Sequence, residues 1–136
     1  MIKYHFELLI RPFTAGRQYS DICHLGIGLL LYLCNVCFWR KYGNLFMICY
    51  FNDILAGLSF IAYVNLLLFH LNKRLRFKEG FVIIVVAGFF WEYCIPLVKK
   101  TSISDIYDVV AYLGGFAIYF MNETLVQRIK SYKNKK

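Results

Sequence analysis

Residues Ile22 to Trp39 form a run of 18 without Asp, Glu, Lys or Arg, and Phe81 to Val98 form another of equal length broken only by Glu92. At ~1.5 Å rise per residue a helix of that length spans roughly 27 Å, close to the hydrocarbon thickness of a bilayer. A soluble chain would have to hide both runs in one core, yet 60% of the 136 residues are hydrophobic. A domain this small has too much surface for its volume to do so, and the excess would lie exposed. The sequence therefore predicts an all-α, polytopic membrane protein: a four-helix transmembrane bundle forming a single domain over residues 1–136, with spans at about 22–39, 45–71, 81–98 and 105–121.

The segments between these spans agree with that division. Residues 1 to 20 mix Lys3, Arg11 and Arg17 with Phe6, Leu8, Leu9, Ile10 and Phe13. This suits a short interfacial helix that Pro12 and Gly16 would end. It does not read as a cleavable signal peptide, because Glu7, Arg11 and Pro12 interrupt its apolar part. Gly26 and Gly28 offer close helix approach within the first span, and a tight turn through Tyr42, Gly43 and Asn44 follows it. The stretch Leu45 to Leu71 is either one long tilted helix or a helix interrupted near Asn52 and Asp53. Residues 122–136 read as a basic, cytoplasmic helical tail.

Lysine and arginine set the orientation. Twelve lie in the N-terminal segment, the 72–79 loop and the C-terminal tail, whereas four, Arg40, Lys41, Lys99 and Lys100, lie on the other side. The positive-inside rule puts both termini in the cytoplasm. The net charge of +8 is then a feature of the inner leaflet, and no nucleic-acid partner is expected.

Four acids fall within or at the edge of the spans: Asp53, Glu92, Asp105 and Asp108. With the termini inside, Asp53, Glu92 and Asp108 lie roughly 13, 9 and 5 Å below the extracytoplasmic boundary. Carboxylates at such depths are costly unless they face other helices, share a polar partner or line a hydrated pocket. Asp105, Asp108, Tyr112 and Gly115 share one face of the fourth span, and Glu92, Pro96 and Lys99 share one face of the third. The two stripes can form one site with Asp53, Lys99 and Lys100. Asp105 has a second reading as a helix cap, since Ser102-x-x-Asp105 fits a capping box. Asp53 has one as a packing residue beside Asn52 and Ser59.

Cys23, Cys34, Cys37, Cys49 and Cys94 sit in apolar segments without a disulfide or zinc pattern and read as packing thiols. His5, His24 and His70 map near the cytoplasmic boundary, away from the acids. No nucleotide, zinc-helix or serine-elbow motif is present.

The stretch WEYCIPLVKKTSISDIYDVVAYLGGFAIYF, residues 91–120, resembles the VanZ-like family of small bacterial membrane proteins. That family's pattern is a Glu in one helix, a Pro and a basic residue, then an Asp at the start of the next helix followed by Asn and Gly. Glu92, Pro96, Lys99 or Lys100, Asp108 and Gly115 take those places. Tyr112 stands where the family has Asn, Lys replaces Arg, and the family's Gln after the Glu has no counterpart. The resemblance implies a multi-pass protein of the bacterial inner membrane, associated in some members with resistance to teicoplanin-type glycopeptide antibiotics.

Three functions follow as expectations. The first is an acidic pocket near the outer leaflet, made of Asp53, Glu92, Lys99, Lys100, Asp105, Asp108 and Tyr112, that binds a lipid head group or an amphiphilic antibiotic. The second is a hydrolase or transferase acting on lipid-linked phosphate, with Glu92, Asp105 and Asp108 holding a divalent cation. The third is an ion or proton pathway through Asp53 and Glu92, or an accessory subunit. Either form of the third would work as a homo-oligomer or with a membrane protein partner.

Overall fold

The computed structural model describes residues 2–98 and 105–133. Among them there is no strand, and about 89% of the chain is helical. The elements are α1 (Ile2–Cys37), a 3-10 turn (Trp39–Tyr42), α2 (Leu45–Cys49), α3 (Phe51–Phe69), α4 (Phe77–Phe89), a π turn (Phe90–Cys94), α5 (Ile95–Val98) and α6 (Ile106–Lys133). Three segments are long and apolar enough to cross a membrane: Gly16–Cys37, Phe51–Phe69 and Ile106–Lys133.

The structure departs from the sequence reading at two places. Pro12 and Gly16, expected to end a short first helix, lie inside the continuous α1. A proline removes one backbone hydrogen bond, and a helix can run through that loss. Of the two readings of the 45–71 stretch the structure takes the interrupted one, with the break at Tyr50, between α2 and α3 and next to Asn52 and Asp53 in the first turn of α3. The stretch expected as the third span is divided by the π turn, so neither α4 nor α5 is by itself long enough to cross. Pro96 accounts for the turn. It has no N–H for the carbonyl of Glu92, four residues earlier, and its ring would clash with that carbonyl, so the ladder widens locally.

The turn after α1 follows from its chemistry. Gly43 has φ +75°, a left-handed conformation that glycine adopts without strain. Asn44 then caps α2 by accepting the Phe46 N–H at 3.0 Å.

α3 is the central element, packed against α1 on one side and α6 on the other, while α4 packs on α6. The α3–α6 contact is backbone to backbone. A Cβ on Gly57 would lie 2.2 Å from the Tyr112 carbonyl oxygen, and one on Gly115 would lie 2.0 Å from the carbonyl oxygen of Ile54. Of the two glycines expected to admit a neighbour in the first span, Gly28 does, facing Ser59, whereas Gly26 meets open space. Around the crossing Leu58, Ile61, Ala62, Ile84, Phe116 and Tyr119 form the core. Phe77, Phe116 and Phe120 stack at centroid distances of 4.8 to 5.3 Å and join α4 to α6.

The distribution of polarity is that of a protein in lipid. Leu29, Leu30, Val82, Val86 and Val110 are about 60% exposed, while Asp21, Asn35, Asn65, Glu92 and Glu123 are buried. In water this arrangement would expose apolar surface to solvent and bury charge; in a bilayer both costs reverse.

Replacing Gly57 or Gly115 with Val forces α3 and α6 apart. Each change is expected to destabilise the protein by at least ~1–3 kcal/mol, read as a lower midpoint of unfolding in mixed micelles. An equally stable Gly26→Val control is expected.

Candidate functional site

Of the acids, Glu92 and Asp53 lie beside one phenol, that of Tyr112. Glu92 lies on the π turn and is 6% exposed. Its Oε1 accepts the Tyr112 hydroxyl at 3.3 Å and its Oε2 accepts the Asp105 backbone N–H at 3.4 Å. Asp53, in the first turn of α3, lines the same cavity as Tyr112 and is close enough to interact with it and with Glu92. Asp108, in the first turn of α6, is partly exposed and close enough to interact with the charges of Glu92, Asp105 and Asp53. Side chains from the π turn, α3 and α6 therefore share one site.

Asp105 has a local role as well. Its Oδ1 accepts the Tyr107 N–H at 2.9 Å, so it caps α6 and complements the positive end of that helix. Its backbone N–H meanwhile orients Glu92. Lys99 and Lys100 lie outside the described residues, as does Ser102. Among the described residues no three acidic, histidine or cysteine side chains stand close enough together to hold a metal ion.

Beside this cluster a cavity of about 720 Å³ opens between α1 and α4, on the face of α3. Its α1 wall includes Leu25, Leu29 and Tyr32, and the wall opposite includes Ile84 and Ala87 of α4 and Trp91 of the π turn. Asp53, Asn52 and Tyr112 also line it, but Glu92, Asp105 and Asp108 do not. Asp53 is therefore the acid through which the cluster meets the cavity.

A second polar network lies at the opposite end of the helices, and sequence reasoning missed it. Arg74, from the loop after α3, donates to Asp21 of α1 at 3.3 Å, to Glu123 of α6 at 2.8 Å and to the Tyr119 hydroxyl at 2.7 Å. The Tyr119 hydroxyl donates to Asp21 and accepts from Asn65 Nδ2 at 2.9 Å, while Asn65 Oδ1 accepts the Leu75 N–H. Ser20 donates to Glu123, and the His24 ring lies 5.0 Å from that of Tyr119. Arg74 reads in the sequence as one of several loop cations, and Glu123 as part of a solvated tail. One signal was present: Asp108, Tyr112, Gly115, Tyr119 and Glu123 continue a single helical face past Met121.

No family model, curated protein or solved structure matches this chain.

Both networks can be tested by truncating one member. Arg74→Ala leaves Asp21 and Glu123 buried without their cation, a change expected to cost ~3–5 kcal/mol. Thermal unfolding in micelles measures it, and a smaller loss in an Asp21→Asn/Glu123→Gln background would show that the three act together. Tyr112→Phe removes one hydroxyl from the acidic cluster, with an expected loss of ~1–3 kcal/mol by the same assay.

Proposed function

We propose that this chain is a small multi-pass membrane protein of VanZ-like type whose acidic cluster binds the polar group of a membrane lipid or an amphiphilic antibiotic. The observation that carries the reading is the gathering of Asp53 and Glu92 beside Tyr112, whose hydroxyl donates to Glu92. Carboxylates gathered inside an apolar environment favour a positively charged ligand, which offsets their mutual repulsion and their desolvation. The π turn adds support, since such turns often mark functional positions and this one presents Glu92.

In this reading α4, the π turn and α5 together make a fourth span, because residues 81–98 are as apolar and as long as the first. The distribution of lysine and arginine then places both termini in the cytoplasm of a bacterial cell and the acidic cluster toward the outer leaflet. Tyr112 stands where the VanZ-like pattern has Asn, and its hydroxyl gives that position a hydrogen-bonding group. A proton or ion pathway fits less well. Ile61, Ala62 and Phe116 are almost wholly buried and form an apolar barrier between the acidic cluster and the Arg74 network.

Glu92→Gln combined with Asp108→Asn removes two negative charges while keeping side-chain shape. At equal expression the double variant is expected to lose any protection that the parent chain gives host cells against a teicoplanin-type glycopeptide. Unchanged protection would count against the pocket.

A further inference from the structure

The cavity between α1 and α4 is polar at one end and apolar at the other, and the gradient has a direction. Asn52 and Asp53 lie at the start of α3, and Trp91 and Tyr112 stand near the same end. Leu25, Phe60 and Ile84 line the part that lies deeper along the helices. Along α3 the distance from Asn52 to Phe60 is eight residues, or ~12 Å. α1 packs on α3, and α4 packs mainly on α6, with at most marginal contact between α1 and α4 themselves. The opening therefore faces sideways, toward the hydrocarbon, as well as toward the polar end.

The polar end is rich in acceptors. Asp53 supplies a carboxylate. Asn52 lies beside it and is held in place by Asn35, which is buried outside the cleft lining and donates to Asn52 Oδ1 at 2.9 Å and to the Met47 carbonyl at 2.7 Å. A cleft with a carboxylate at its polar end suits a group carrying a positive charge and N–H donors, with apolar surface attached on one side. A volume of about 720 Å³ lies within the range of pockets that enclose small ligands.

From this arrangement we infer that the cleft holds an amphiphile with a primary ammonium head and a hydrocarbon chain, which enters sideways from the bilayer and seats its head on Asp53. The inference rests on the acidic-cluster reading above and narrows it to one route and one head-group chemistry. Charge complementarity selects the ammonium over a neutral hydroxyl, and the apolar walls select a chain over a water-soluble amine.

Trp91 lines the cleft and Trp39 is the only other tryptophan, so a Trp39→Phe background leaves one fluorescent reporter. The full chain is placed in phosphatidylcholine nanodiscs and titrated with hexadecylamine brominated near its head, and separately with the matching brominated hexadecanol. The amine is expected to quench Trp91 to saturation, and the alcohol only in proportion to its amount in the bilayer. Asp53→Asn is expected to weaken the saturable phase about tenfold or more, the effect of losing one charge-assisted hydrogen bond. Ala56→Phe, at an exposed position of the cleft wall, fills the cleft without disturbing the core and is expected to abolish saturation.

Equal, non-saturating quenching by amine and alcohol would overturn the inference, as would saturation that survives Ala56→Phe. Saturation lost in Glu92→Gln but retained in both Asp53→Asn and Ala56→Phe would place the amine at the acidic cluster outside the cleft; the cleft would then fall and the broader reading would stand. Loss of the parent's antibiotic protection in the Glu92→Gln/Asp108→Asn variant, with no saturable amine binding to the parent, would separate the two in the same way.

Discussion

The approach of α3 to α6 across Gly57 and Gly115 is the contact on which the other arrangements depend. With hydrogen atoms in place of side chains, the two backbones come together at van der Waals distance. In hydrocarbon, where apolar side chains gain little from leaving lipid, this packing is a principal source of helix association. The two helices run in the same direction, so one crossing sets two registers. It brings Asp53 beside Tyr112 at one end and Asn65 to the Tyr119 hydroxyl at the other. Both tyrosines project from the same face of α6, and each serves as the neutral hub of a network whose outer members are charged.

The two networks solve the same electrostatic problem differently. At the Arg74 end, two buried carboxylates and the Tyr119 hydroxyl converge on Nη2 of one guanidinium. Arg17 is close enough to interact electrostatically with both carboxylates, and the network has the character of a brace tying α1, the loop after α3 and α6 together. At the Tyr112 end, Asp53, Glu92, Asp105 and Asp108 lie near one another, with a phenol and a backbone N–H as neutral donors to Glu92. Among the described residues this cluster carries surplus negative charge, which suits a receptor better than a brace.

Helix positions were legible in the sequence because apolar runs of membrane length admit few alternatives. The meeting of Asp53, Glu92 and Tyr112 was legible too, since the basic segments order the helices and the spacing of acids on α6 picks out a face. What the sequence concealed depends on backbone geometry or on side chains reaching across helices. The π turn arises from the loss of one N–H at Pro96. Arg74 looked like any cytoplasmic cation. Its role follows from the distance between Asp21 and Glu123 in space, which no spacing along the chain encodes.

The brace around Arg74 also bears on how such a protein comes to be built. Its members belong to the first long helix, an intermediate loop and the last helix, so a ribosome delivers Asp21 early and Glu123 late. Until the final helix is inserted, Asp21 can pair with Arg74 but lacks the Tyr119 hydroxyl, and Arg74 lacks its second carboxylate. The complete set of partners exists only once the last helix is in place, so a chain that stops before α6 ties α1 to the loop after α3 by the Arg74–Asp21 contact alone.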